Sequence, residues 1–246
     1  MNRLASLSTR APEGLNKEQV KEATRKLLEE LNELQNRLYA GGQYAVLAIF
    51  QGMDASGKDG AIKKVLSQLN PLGVHAFAFK KPTEEEKAHD FLWRIHQKVP
   101  AKGMIHAFNR SQYEEVLITR VHGWCDDKTA RQRFKAINDF EELLQNNQTI
   151  LFKFYLHLSR EEQQERLQER ITRPEKRWKH DPGDQEEAQY WDVYMKMYED
   201  VFEHCNVQPW TIIPADQNWY KEYCVAKTLV EGLKTLNLTY PDKPVR

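Results

Sequence analysis

Long apolar runs are missing from this sequence: none of its 246 residues belongs to a segment approaching the roughly 20 that a membrane-crossing helix requires. The first twenty residues mix charges with short apolar steps, so no secretory signal is read there. Cysteine is scarce as well. Cys125, Cys205 and Cys224 form no CxxC or other compact metal spacing, and their odd number points to reduced thiols rather than a disulfide scaffold. These absences predict a cytoplasmic protein without membrane attachment. Net charge is also absent, because 36 basic and 36 acidic residues cancel and the eight histidines are largely neutral near pH 7. That removes whole-protein attraction to nucleic acid or membrane, although a local basic channel could still hold a polyanion. Proline and glycine gather in no linker, and there is no internal repeat. Residues 17–238 therefore read as one domain, with 1–16 a flexible N-terminal arm and 239–246 a C-terminal tail.

What is present alternates between short apolar runs and amphipathic stretches. Strands are predicted at 44–50, 74–79, 104–108, 149–156 and around Trp210 to Pro214. Between and around them, helices are predicted over about 17–39, near 58–69, after Thr83, after Ser159, over 187–204 and at the C-terminus. Thr83 with Glu86, Ser111 with Glu114, and Ser159 with Glu162 each have the spacing of a capping box. Repeated strand-to-helix alternation predicts an α/β sandwich with a mostly parallel central sheet and helices on both faces.

The first strand runs into Gly52-Met-Asp-Ala-Ser-Gly57-Lys58, which fits GxxxxGK between a strand and a helix. Backbone N–H groups in such a turn surround phosphate oxygens, and the lysine supplies charge. Lys58 is thus a candidate catalytic residue, with Gly52 and Gly57 allowing close backbone approach. Asp59 stands where Ser or Thr usually follows the lysine. It could line the phosphate site or accept helix N-terminal amides, while Asp54 is the better candidate for holding magnesium or orienting an acceptor phosphate. Asn109 and Arg110 follow the third strand, at the edge where parallel sheets collect functional side chains, and Arg110 could clamp phosphate or pair with a carboxylate. Glu114 could complete the Ser111 cap or face a nucleotide. Lys80, Lys81, Arg94 and Arg120 could extend a positive surface or simply face solvent. Arg170, Arg173, Lys176, Arg177 and Lys179 crowd into the segment around 171–185, where Pro174, Pro182 and Gly183 interrupt helix formation; this reads as a basic lid. No histidine lies in an HExxH pattern, His106 reads as a packed residue, and Trp178, Trp191 and Trp210 read as core anchors.

The ordered set GMDASGKDG (52–60), FKKPTEEE (79–86), HDFLWRIH (89–96), PAKG (100–103), FNRSQYEEVLITRVH (108–122), FKFYLHLSREEQQERLQERI (152–171), RWKHDPGD (177–184) and PWTIIPADQNWY (209–220) resembles the polyphosphate kinase 2 family over about 25–238. The resemblance implies a thymidylate-kinase-like, three-layer P-loop kinase sandwich with a helical lid. It implies reversible phosphoryl transfer from inorganic polyphosphate to AMP or ADP, and to GMP or GDP as further acceptors, with Mg2+ or its substitute Mn2+. It places Asp54 at the metal and acceptor phosphate, Lys58 at phosphate binding and Arg110 in the second catalytic motif. Lys80, Lys81, Arg94 and Arg120 match a polyphosphate path, and Lys176, Arg177 and Lys179 match the lid. A homodimer or homotetramer is implied too. The FNRS form with Tyr113-Glu114 resembles the subgroup that phosphorylates both nucleoside mono- and diphosphates. An ATP-dependent nucleotide kinase and a non-catalytic polyphosphate- or nucleotide-binding protein are the alternatives.

Overall fold

Five parallel strands in the order β2-β3-β1-β4-β5 build the sheet: β1 (Ala45–Gln51), β2 (Val74–Ala78), β3 (Ile105–Asn109), β4 (Thr149–His157) and β5 (Trp210–Pro214). The structure, a computed structural model, describes residues 4–242. The helices are α1 (Lys17–Gly41), α2 (Lys58–Leu66), α3 (Glu84–Lys87), α4 (Trp93–His96), α5 (Ile118–Val121), α6 (Asp127–Asn146), α7 (Arg160–Thr172), α8 (Pro182–Gln189), α9 (Trp191–His204) and α10 (Asn218–Lys234). None of them is long and apolar enough to cross a membrane.

Side-chain alternation on the central strands creates the three layers. Val46, Ala48 and Phe50 of β1 join Phe152, Phe154 and Leu156 of β4 on one face, packed against Leu28, Leu31 and Leu38 of α1 and Val225 and Leu229 of α10. Leu47, Ile49, Leu151 and Tyr155 point to the other face, against Phe134 and Ile137 of α6 and Tyr198 and Val201 of α9. All seven residues of β1 are buried, as expected of a strand covered on both faces. The order places β1 and its exit at the middle of the sheet, flanked by the exits of β3 and β4, so loops from three strands converge there.

Several local expectations differ from what forms. The capping box at Thr83 and Glu86 closes reciprocally. At Ser111 it does not: the hydroxyl accepts from the Tyr113 amide at 3.3 Å and the Glu114 carboxylate turns to Arg110. Pro174 and Pro182 open helical turns rather than merely breaking them, because proline fits the first turn, where no intrahelical N–H is needed. The helix expected over 187–204 is split at Tyr190, which leaves helical geometry at ψ 16° before Trp191 enters the core.

The flexible arm expected over 1–16 is docked from Leu4 to Ala11; residues 1–3 lie outside the described residues. Leu4 is buried in the second core layer, and its amide donates to Glu199 Oε1 at 2.9 Å. Thr9 Oγ1 donates to Asp216 Oδ2 at 2.8 Å, the Asp216 amide returns a bond to the Thr9 carbonyl at 3.0 Å, and the Ala11 amide donates to Gln217 Oε1. A short sequence with few apolar residues reads as loose, but here backbone polar groups find partners on a remote part of the chain. Of the expected tail, residues 239–242 are described; the Arg37 guanidinium lies 5.9 Å from the centre of the Tyr240 ring.

Candidate active site

The carbonyl oxygens from Gly52 to Gly57 all have donors. Lys58 Nζ donates to Gly52 O at 2.7 Å and Met53 O at 3.1 Å. From α7, Gln163 Nε2 donates to Asp54 O and Arg166 Nη1 to Ala55 O, both at 3.0 Å. Lys221 Nζ of α10 reaches Ser56 O at 3.4 Å, and the Ala61 amide takes Gly57 O as α2 begins. Because C=O and N–H of a trans peptide point in opposite directions, holding these carbonyls turns the amides that follow them the other way. Among the described residues, the amides of Asp54, Ala55 and Gly57 donate to no protein group. They are donors without protein partners in the loop that enters α2, and unpaired amides before a helix N-terminus suit a phosphate.

The loop is also a place of backbone strain. Ala55 lies at φ 63°, as does Arg110 in the neighbouring loop after β3, and such left-handed geometry costs a residue with a Cβ on the order of 1–3 kcal/mol. Gly52, at φ 148°, admits no replacement: a Cβ there would stand 2.8 Å from the Leu156 carbonyl oxygen.

Asp54, Lys58, Arg110 and Glu114 form one electrostatic unit. Arg110 donates to the Asp54 carboxylate through Nη2 and to Glu114 Oε2 through Nη1, the latter at 3.1 Å. The Glu114 charge is the foremost influence holding the Arg110 guanidinium above its ordinary range, against burial and with help from Asp54. Burial pushes the Asp54 carboxyl up, but the Arg110 and Lys58 charges outweigh it and keep the group below its ordinary value, hence ionised at neutral pH. Lys58 is brought down to about 8, first by burial and then by Arg110, with Asp54 and Glu114 opposing.

A cleft of about 790 Å³ opens beside this unit. Asp54, Gly57, Lys58, Asp59, Asn109 and Arg110 line its floor, Lys80 one wall, and Arg170, Lys176, Trp178 and Lys179 the lid. The lid charges have partners: Arg170 pairs with Asp184, Arg173 and Lys176 pair with Glu169, and Lys179 Nζ stands 3.7 Å from Asp59. Arg177 donates to the Ile171 carbonyl at 3.2 Å and is not among the cleft's lining residues. Asp59 accepts from the Asn109 side-chain amide, which ties the start of α2 to the end of β3. Trp178 is 78 % exposed at the cleft rather than anchored in a core, whereas Trp191 is buried. His106 is packed, its Nδ1 2.7 Å from the Lys98 carbonyl.

Three of the four expected basic extensions do not line the cleft. Arg94 is buried, donates to the Lys80 carbonyl at 2.9 Å and to Glu86 at 3.2 Å, and faces the Phe79 ring, so it braces the loop that carries Lys80. Arg120 pairs with Asp200 at 2.8 Å and Asp127 at 3.2 Å and packs over Phe134, joining α5, α6 and α9 away from the cleft. Lys81 is exposed without lining the cleft. Residues that sequence reasoning missed come from α7 and α10: Gln163, Arg166 and Lys221. One signal was present for Lys221, which falls in line with the apolar stripe Val225, Leu229 and Leu233 of α10 and is buried with them.

For a metal, Asp54 and Asp184 both line the cleft, and their charges act on each other. Asp184 is raised above its ordinary value, first by burial and then by the Asp54 charge, with Arg170 opposing. Among the described residues no group of three or more His, Cys, Asp or Glu side chains is placed to hold a metal ion. Magnesium commonly takes one or two carboxylates and completes its shell with phosphate oxygens and water, so this pair fits a magnesium ion arriving with a phosphate substrate.

Known proteins resemble this chain over most of its length. The model of the family described as polyphosphate kinase 2 matches residues 14–241. The AMP/ADP-polyphosphate phosphotransferase of Meiothermus ruber is 46% identical over 222 residues, covering 89% of this chain and 83% of that one. The ADP-polyphosphate phosphotransferase of Rhodopseudomonas palustris is 42% identical over 240 residues, covering 92% and 83%. Among solved structures, polyphosphate kinase 2 from Arthrobacter aurescens TC1 superposes with a TM-score of 0.94 at 41% identity, covering 99% of this chain and 89% of that one.

Proposed function

The chain belongs to the polyphosphate kinase 2 family, and from that premise we propose that it moves a terminal phosphoryl group of inorganic polyphosphate onto AMP or ADP, with guanine nucleotides as further acceptors. The observation that carries the reading is the set of loop amides without protein acceptors among the described residues, beside which Lys58 and Arg110 line a cleft with a basic lid. An acceptor phosphate oxygen forms the new P–O bond as the bond from the transferred phosphorus to the rest of the donor chain breaks, and no protein nucleophile is required. The loop amides and Lys58 hold the donor's terminal oxygens. Arg110, oriented between Asp54 and Glu114, steadies charge on the transferred group, and lid closure over the cleft excludes water. Asp54 and Asp184 would hold Mg2+, or Mn2+ in its place, whose contribution is to offset phosphate charge. The same chemistry runs in either direction, according to concentration.

Purified protein incubated with magnesium, AMP, ADP, GMP or GDP, and either long-chain polyphosphate or ATP, followed by separation of the nucleotides, tests the donor and the acceptors together. Product with polyphosphate supports the reading. Product with ATP alone makes the protein an ordinary nucleotide kinase, and binding without turnover makes it a binding protein. A homodimer or homotetramer in the cytoplasm completes the proposal, and sedimentation of the purified protein tests the assembly.

Glu114 bears on the choice between mono- and diphosphates. AMP has one phosphate fewer than ADP, so its nucleoside sits nearer the reacting centre and nearer Glu114, which lines a small recess behind Arg110 with Tyr194 and Tyr198. Glu114→Ala is expected to reduce kcat/KM for AMP several-fold more than for ADP. Equal losses with the two acceptors would assign Glu114 only to orienting Arg110.

A further inference from the structure

Lys221 is 1% exposed, yet it lines the cleft beside the loop. Its Nζ donates to Asn218 Oδ1 at 2.7 Å and, weakly, to Ser56 O at 3.4 Å, and the Lys ammonium has three hydrogens to give. Gly57, at φ 88°, is what admits it: a Cβ on Gly57 would collide with Lys221 Nζ. A buried ammonium with an unused donor, held against a loop whose Gly57 amide has no protein acceptor among the described residues, is costly unless an anion arrives.

We infer that Lys221 is a second phosphate-binding lysine of this cleft, seated in the space that Gly57 leaves open and aiming its remaining hydrogen at an oxygen of the donor chain lying on the loop. The inference rests on the polyphosphate reading above and adds a binding residue to it. The groups around Lys221 agree with such a role. Arg166 of α7 and Lys58 of α2 disfavour its charge, Glu222 of its own helix and Glu162 of α7 favour it, and burial, the largest influence, brings the group down to about 7. An anionic chain at the loop would draw the ammonium back to full protonation, so donor binding takes up a proton near and above neutral pH.

Calorimetric titration with tripolyphosphate at about pH 8, in two buffers of different ionisation enthalpy, measures affinity and proton uptake together. Wild-type protein is expected to take up protons on binding. Lys221→Met should bind about tenfold more weakly, the usual worth of one charge-assisted hydrogen bond, and take up fewer protons, with Lys58 supplying the remainder. Lys221→Arg, charged at every pH tested, should keep most of the affinity and lose the same proton uptake. Unchanged affinity and uptake in Lys221→Met overturns the inference alone. If that variant does not fold, Lys221→Arg decides: weak binding, or uptake equal to wild type, overturns it. No binding by wild-type protein overturns the donor reading itself and this inference with it.

Discussion

Lys58→Ala is expected to lower the rate of phosphoryl transfer by about a hundredfold to a thousandfold, the loss that follows removal of one preorganised donor from charge that develops at the transition state. The magnitude follows from where the ammonium sits. It is 8 % exposed, touches the loop's own carbonyls at 2.7 and 3.1 Å, and is held down to about 8 by burial, so its charge acts in surroundings where water screens little. In the proposed mechanism a terminal phosphate joins those carbonyls as a partner of Lys58 and favours the protonated form. Turnover in a polyphosphate-to-ADP assay, with circular dichroism as the check on folding, reads the result; a folded variant at the wild-type rate removes Lys58 from the mechanism. Lys58→Arg should recover little, because a planar guanidinium fork does not reproduce the compact ammonium that donates to the Gly52 and Met53 carbonyls.

The largest stability effect is expected at Lys153→Met. Lys153 and Glu141 are fully buried, and the ammonium spends all three hydrogens: on Glu141 Oε2 at 2.7 Å, on Tyr113 Oη at 2.9 Å and on the Cys205 carbonyl at 3.0 Å. The Tyr113 hydroxyl in turn donates to Glu141. Burial raises the Glu141 carboxyl and lowers the Lys153 ammonium, each opposed chiefly by the charge of the other. Removing the lysine strands a carboxylate in the core and should cost about 3–5 kcal/mol in chemical denaturation, or roughly 10 °C in Tm for a chain of this length. The double change Lys153→Met with Glu141→Leu should recover a large part, since it removes both desolvation penalties. A loss below about 1 kcal/mol in the single variant would mean that Glu141 is neutral in the native protein. Tyr113 lies three residues after Arg110, so activity per folded molecule should fall as well when the network is opened.

The sheet was legible because its strands are short apolar runs punctuated by Gly and Pro, and each of the five expected strands forms within a residue or two of its expected bounds. The loop was legible because its glycines and lysine sit at fixed local spacing. Arg94 and Arg120 were not, since a basic residue in a sequence does not show which carboxylate the fold will bring beside it; Glu86, Asp127 and Asp200 decided their roles. The same limit hid the outer support of the loop. Gln163 and Arg166 sit on α7, whose charged surface pattern is that of a solvated helix, and they meet Asp54 and Ala55 from more than a hundred positions away.

The clasp between Thr9 and Asp216 joins residues 207 positions apart. During synthesis at roughly 5–20 residues per second, Thr9 must therefore wait about ten to forty seconds for its partner to be made. Leu4 likewise waits for the Glu199 carboxylate that takes its amide, 195 positions on, so the stretch holding Leu4 and Thr9 is among the last to settle.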